Sequence, residues 1–412
     1  MTASKHWDLI VVGGGAAGFF AAITCAEAGG GKVLILEKTP KLLGKVKISG
    51  GGRCNVTHAC FEPKPLTEHY PRGHKSLIGP FHRWGAADTV QWFESRGVTL
   101  KTEADGRMFP ITDSSQTVID CLTQAARDAG VEIRTSTGVD SITPEEDGGF
   151  TLTTNQNESL SSRSVLLATG GTRLAAGAKL AQSLGHQLVP NVPSLFAFNI
   201  EDPRIRELPG VSVAQTEVSV DGMKLKATGP LLITHHGLSG PGILKLSAWG
   251  ARDLSERDYR FQIKINWLPE LSQAEIEAAL TDKRQTWGKR RVPGHCPFEP
   301  IPKRLWNQLC QAAGISAETL WSQLNKDQTR KLVTELSAGS FAVSGKSINK
   351  DEFVTCGGVK LHEVNLKTME SKIQPGLYFA GEVLDIDGIT GGFNFQNAWT
   401  SGHLAGMAVA AR

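Results

Sequence analysis

Three glycine clusters with polar neighbours are the parts of this chain best suited to chemistry. The first, Gly13-Gly14-Gly15-Ala16-Ala17-Gly18, directly follows the apolar run Leu9 to Val12. In a strand-to-helix turn of this spacing Gly13 allows the sharp reversal, Gly15 lets the backbone approach a pyrophosphate, and Gly18 lets the helix pack against the strand. The amides of Ala16 and Ala17 then lie in a helix start, where free N–H groups and the positive end of the dipole favour an anion. A second apolar run, Val33 to Leu36, delivers Glu37, 19 residues after Gly18, followed by Lys38. An acid at this place accepts hydrogen bonds from a ribose and disfavours a 2'-phosphate. GxGxxG alone is a weak signal; strand, glycine turn, helix, strand and acid together describe a dinucleotide-binding βαβ unit.

The second cluster lies within Lys45 to Thr57 and sets Gly50, Gly51 and Gly52 between Ser49 and Arg53-Cys54-Asn55. Its glycines can present backbone amides to a flat or phosphorylated ligand, with Lys45 and Arg53 adding positive charge. Standing alone, it reads equally well as a flexible loop. The third cluster joins Gly381-Glu382 to Gly391-Gly392-Phe393-Asn394-Phe395, which open a final helix reaching about Ala411. A helix start at Gly392 can aim its dipole at an electron-accepting ring and stabilise the negative charge formed on reduction. The alternative is a glycine turn capped by Asn394, with Phe393 and Phe395 in the core. Thr169-Gly170, after Val165 to Ala168, repeats the pattern of Leu377 to Ala380 before Gly381.

These clusters need a framework, and 412 residues exceed the roughly 250 to 300 that one core sustains. A helix over Phe19 to Ala28, a Ser114-capped helix to about Ala129 burying Val118, Leu122 and Ala126, and a strand at Val131 to Arg134 predict a doubly wound sheet. After Pro190 the pattern turns to strands, such as Thr216 to Val220 and Arg260 to Ile265, then to helices at Gln273 to Leu280, Lys303 to Ala313 and Asp327 to Leu336. An inserted β-plus-α region follows from that change.

Composition narrows the function. A hydrophobic share of 40% with 21% charged residues excludes global disorder. With 44 Lys and Arg against 41 Asp and Glu, the net charge of +3 lacks a sustained basic stripe, so no nucleic-acid partner is expected. Seven cysteines without a CxxC pair argue against a disulfide framework or zinc ribbon and fit a reducing cytoplasm. Cys54, His58 and Cys60 lack a fourth ligand nearby, so no metal is assigned. The uncharged run Leu9 to Ala26 is broken by glycines and reads as buried strand and helix, with no membrane role. Gly237-Leu238-Ser239-Gly240-Pro241 lacks the last glycine of a hydrolase elbow and reads as a turn.

Taken together, the clusters resemble the BaiN-like (YhiN-type) FAD-dependent flavoprotein family, through the fingerprint, the SGGGRCN segment Ser49 to Asn55 and the GGxN helix start Gly391 to Asn394. Gly106 to Pro110, Thr234 to Pro241, Gly357 to Val359 and Thr368 to Lys372 also match, so the resemblance spans nearly the whole chain. It implies an α/β fold: an FAD-binding Rossmann-like doubly wound parallel sheet, in residues 1–192 and 346–412, with an inserted β-plus-α domain at 193–345. Noncovalent FAD would be held by the three clusters with Lys38, Thr169 and Gly170; no catalytic residue is assigned. The family's stretch after the ATGG strand end is shortened here to Gly171 to Lys179, so no substrate is carried over.

The leading expectation is an FAD oxidoreductase passing a hydride through flavin N5 to or from a small molecule, with conjugated ketone reduction and amine oxidation as the family's possibilities. No second complete GxGxxG unit is visible, so NAD(P)H would act as a transient donor. An FAD-dependent RNA-modifying enzyme is disfavoured by the charge balance and by the lack of a basic, aromatic-interleaved tract. A non-catalytic flavin-binding protein is the third reading. Sequence assigns no oligomeric state.

Overall fold

Apolar side chains at nearly every position suit strands covered on both faces, and the first two runs form such strands. In the computed structural model, which describes residues 6–171, 176–347 and 354–412, strand His6–Val12 lies between Val33–Leu36 and Ser159–Leu167. Glu132–Arg134 lies beyond the former and Leu377–Phe379 beyond the latter, and all five run parallel. The chain therefore moves outward on one side of the first strand, then restarts on the other. That reversal is a topological switch point, and ligands of open α/β sheets bind at its carboxyl edge.

Register places the edge. Val12 is level with both Leu36 and Leu167, and Leu167 with Phe379. The segments beginning at Gly13, Glu37, Ala168 and Ala380 therefore leave the sheet side by side. An antiparallel meander, Val139–Pro144 to Phe150–Thr154 to Ser159–Leu167, was not anticipated. Its alternating Thr and Ser residues lack the continuous apolar signal of the parallel strands. Helix Ala16–Glu27 begins three residues before the expected start because its first turn is made of the small fingerprint residues. Helix Ser115–Asp128 has its expected cap, Ser114 Oγ accepting from Gln116 N at 3.3 Å, and Val118, Leu122 and Ala126 are fully buried.

The chain divides into two units, residues 1–192 with 350–412, and residues 193–349, with separate hydrophobic cores. The second contains a seven-stranded sheet whose neighbouring strands pair antiparallel, with helices Gln273–Thr286, Lys303–Ala312 and Lys326–Ala338. Of the expected turn Gly237 to Pro241, residues Gly237–Ser239 form a short strand, and helix Pro241–Trp249 follows directly. Pro241 occupies the first turn, where its missing N–H costs nothing. No described helix is long and apolar enough to cross a membrane.

A candidate dinucleotide site at the carboxyl edge of the sheet

Each fingerprint glycine meets a different constraint. Gly13 has φ of 119°, and a Cβ there would lie 2.4 Å from Ala168 O. A Cβ on Gly18 would lie 2.0 Å from Gly13 O, so only glycine lets the helix sit this close. At Gly15 an added Cβ meets nothing within 4 Å. Packing does not demand glycine there; an approaching ligand would. Helix Ala16–Glu27 has no side-chain cap, so its first amides are left for another partner.

Glu37 also braces the loop. Gly14 N donates to its Oε2 at 2.9 Å, and Thr39 N and Oγ1 both donate to Oε1 at 2.8 Å. Oε2, with a single donor, retains capacity to accept another bond, whereas Oε1 already accepts two. Lys38 is exposed at the strand end.

The second cluster is a short helix, Gly44–Gly52, interrupted by non-helical Ser49, Gly50 and Gly51. Gly50, Gly51 and Gly52 all have positive φ, and around Gly51 and Gly52 the Cβ positions are open. Arg53, expected to supply charge to a ligand, lies over the Phe109 ring at 4.0 Å, with Nη1 2.6 Å from Glu103 Oε1. Ser49 Oγ donates to Val46 O at 3.0 Å. Cys54 is fully buried, and burial pushes its thiol up to about 12, so it offers no thiolate at neutral pH. Cys60 is also shifted upward, chiefly by burial.

Asn55 and Gly392 tie the second cluster to the third. The buried Asn55 amide, oriented to satisfy its surroundings, donates to Thr57 O at 2.9 Å and Met108 O at 3.3 Å, and its oxygen accepts from Gly392 N at 2.9 Å. Gly392 has φ of 91°, and a Cβ there would lie 2.6 Å from Thr57 O. Its N–H is thus engaged within the protein. Later first-turn amides of helix Phe393–Ala410 have no side-chain cap. Asn394 clasps the preceding loop through Gly388 N to Oδ1 at 2.8 Å and Nδ2 to Gly388 O at 2.9 Å. Phe393 is buried and stacks on His69 and His58, while Phe395 stacks on Trp399. Both aromatics thus have partners within the protein.

Glu382 joins further segments. Its carboxylate pairs with Lys45 and accepts from Thr355 N at 2.8 Å and Gly171 N at 3.2 Å. Thr169 Oγ1 is buried without a hydrogen-bond partner among the described residues, as are Thr355 Oγ1 and Asn397 Oδ1. Gly170 has φ of 72° and open space beside it. Residues 172–175 of the shortened segment Gly171 to Lys179 lie outside the described residues. Among those described, no group of three His, Cys, Asp or Glu residues is arranged to hold a metal, and all seven cysteines are free.

Several supporting residues were not singled out in the sequence. Gly381 N donates to Ser401 Oγ at 2.9 Å, and a Cβ on Gly381 would meet that of Ala17 at 2.9 Å. Arg72 forms a buried two-pronged ion pair with Asp387, its Nε 2.5 Å from Oδ1. Helix Phe393–Ala410 packs on Ala16–Glu27 through Gly402 and Gly406, whose Cβ atoms would lie 2.7 Å from Ala17 O and 2.5 Å from Ala21 O. The four-residue spacing of these glycines was the available signal, since small residues one helical turn apart let backbones approach.

Known proteins share this organisation. A ribosomal RNA dihydrouridine synthase of Escherichia coli (strain K12) is 31% identical over 407 residues, covering 96% of each chain. A 3-dehydro-bile acid delta(4,6)-reductase of Clostridium scindens is 28% identical over 419 residues, covering 98% of each. Among solved structures, a 3-ketosteroid-delta4-(5alpha)-dehydrogenase from Rhodococcus jostii RHA1 has a TM-score of 0.53 at 15% identity, over 100% of this chain and 98% of that one. A flavocytochrome c3 fumarate reductase has a TM-score of 0.52 at 19% identity, over 100% of this chain and 79% of that one. At these identities the structures establish a shared fold. The family described as HI0933-like protein Rossmann domain matches residues 7–408, and the chain belongs to that family.

Proposed function

We propose that this protein is an FAD-dependent oxidoreductase that adds two electrons and two protons across a carbon–carbon double bond conjugated to a carbonyl. The observation carrying the FAD assignment is the open Gly15 position beside uncapped helix amides, at the switch point of a parallel sheet. No described residue fills the space that this glycine leaves. In this reading Ala16, Ala17 and Gly18 present amides to the pyrophosphate, and Glu37 accepts from the adenosine ribose. Thr169 and Asn397 offer polar atoms that lack hydrogen-bond partners among the described residues. The loops at Gly51, Gly52 and Gly170 leave room for backbone contact, and the uncapped start of helix Phe393–Ala410 would direct its positive end toward the ring. When bound, FAD supplies two-electron chemistry through N5.

The relatives' names support the reaction class. Dihydrouridine is uridine saturated at a double bond conjugated to a ring carbonyl, and a delta(4,6)-reductase acting on a 3-dehydro bile acid saturates bonds conjugated to a ketone. One chemistry covers both, whereas neither name describes amine oxidation. A reduced nicotinamide is the electron donor in this proposal. Denaturing the purified protein should release FAD, and anaerobic NADH or NADPH should bleach the flavin absorbance of the folded holoprotein. An unsaturated steroid ketone or a uridine-containing RNA should then restore it. FMN in place of FAD, or reduced protein that neither class of acceptor reoxidises, would refute the proposal.

A further inference from the structure

The near-neutral total conceals a division of charge. Residues 193–349 carry 20 Lys and Arg against 16 Asp and Glu, while the rest of the chain carries 24 against 25. The excess is local: residues 283–304 hold seven Lys and Arg and a single acid, Glu299. Trp287, His295 and Phe298 are interleaved with them. This is the basic, aromatic-interleaved tract that whole-chain charge arithmetic averages away.

Structure gathers part of the tract into one surface. Lys283, Arg284 and Trp287 share one side of the last turn of helix Gln273–Thr286, through i to i+3 and i to i+4 spacing. The next turn is closed by Arg290 N donating to Trp287 O at 2.7 Å. Lys283 Nζ and the Arg290 guanidinium lie 5.1 and 5.3 Å from the Trp287 ring, which is half-buried. Arg284, Lys289 and Arg290 are exposed, and none has an ion-pair partner among the described residues. By contrast, Lys283 is paired with Asp282 and Arg291 with Glu318. Favourable interaction with a helix C-terminus accounts for Lys283 and Arg284, but not for Lys289 and Arg290 beyond it. Exposed cations without carboxylate partners among the described residues, beside a tryptophan that carries Lys283 and Arg290 over its ring, suit a chain of phosphates.

We infer that this surface of the insert domain grips the phosphate backbone of an RNA substrate, with Arg284, Lys289 and Arg290 as the contacts. The inference rests on the RNA branch of the reaction class proposed above. It assigns to the insert a partner-holding role separate from the flavin chemistry.

The test uses flavin-loaded full-length protein and deproteinised Escherichia coli ribosomal RNA, with duplex DNA and anionic phosphatidylglycerol vesicles as comparators. RNA should bind more tightly than either comparator, with affinity falling steeply as salt rises. Replacing Arg284, Lys289 and Arg290 together by Gln should weaken RNA binding on the order of tenfold and flatten the log–log salt slope by about 2, as expected for losing three single-strand phosphate contacts. Flavin content and nicotinamide-driven flavin reduction should be unchanged in that variant. Unaltered RNA affinity and salt slope in the folded variant would overturn this surface while leaving an RNA substrate in place. Failure of the parent protein to bind RNA, or preference for DNA or vesicles, would overturn the inference while leaving the FAD assignment standing.

Discussion

At the scale of single residues, the glycines separate fold from ligand. Gly15→Val places its side chain in open space at an ordinary negative φ, so the variant should fold and melt normally as apoprotein yet be purified without FAD. Gly13→Ala should instead lose the fold, because its Cβ meets Ala168 O and φ is positive. Flavin content measured beside thermal unfolding distinguishes the two; full flavin in Gly15→Val would remove the pyrophosphate assignment. Glu37→Ala should weaken FAD binding by about 1 to 3 kcal/mol, the range for hydrogen bonds to a charged group, with turnover retained at saturating FAD. A collapse of turnover there would give Glu37 a different role. His403, stacked on Trp84 at 3.8 Å, has its pKa lowered by burial from 6.5 to about 4. The unfolded chain therefore takes up this proton first as pH falls. The associated stability is complete above the unfolded value and is lost between about pH 6.5 and 4. After allowance for solvent screening at this partly exposed ring, the loss is on the order of 1 to 2 kcal/mol. Urea unfolding at about pH 7.5 and pH 5 should show a larger drop for the parent than for His403→Gln, and equal drops would contradict this account.

At the scale of elements, the fingerprint helix is held by the C-terminal helix. Gly406→Val drives a branched side chain toward Ala21 O. Such overpacking costs about 1 to 3 kcal/mol, so the melting temperature should fall by several degrees and FAD retention should decline with it. An unchanged melting temperature would mean that the helices can separate freely. Both helices were legible in the sequence, as were the parallel strands, because continuous apolar runs and glycine stops act locally. The meander ending at Leu167 was not, since its Thr- and Ser-rich strands are stabilised by pairing with one another. The helix at Pro241 was hidden by a glycine- and proline-rich start that also describes a turn. At the candidate site, the fingerprint loop could be read from spacing alone. The partner of Gly392 could not: an amide drawn as aimed at a ligand is instead held by Asn55, more than 300 residues earlier in the chain. Any side chain added at Gly392 would consequently test packing, and an electrostatic effect on a bound ring must come from the later amides of the first turn.

At the scale of the whole molecule, the chain has two separate cores. Every segment assigned to FAD belongs to residues 1–192 or 350–412, while residues 193–349 bury a separate apolar cluster containing Trp267, Trp306 and Trp321. A ligand that binds only the folded form stabilises what it binds by RT ln(1 + [L]/Kd), about 4 kcal/mol at a thousandfold excess over Kd. Where that free energy appears depends on how the units unfold. Opening of local units is reported by amide hydrogen exchange, with free energies that run up to the global value. If each core opens independently, added FAD should slow exchange in strands His6–Val12, Ser159–Leu167 and Leu377–Phe379 and in helix Ala16–Glu27. It should leave Ser212–Val220 and Phe261–Asn266 nearly unchanged. Comparing apoprotein and FAD-loaded protein by mass spectrometry resolves the two sets of peptides in one experiment. Equal protection in the insert strands would show instead that the cores unfold as one cooperative unit, and insert substitutions would then alter FAD retention through stability alone. Exchange confined to the first set would permit losses of RNA affinity on changing Arg284, Lys289 and Arg290 to be read as losses of contact.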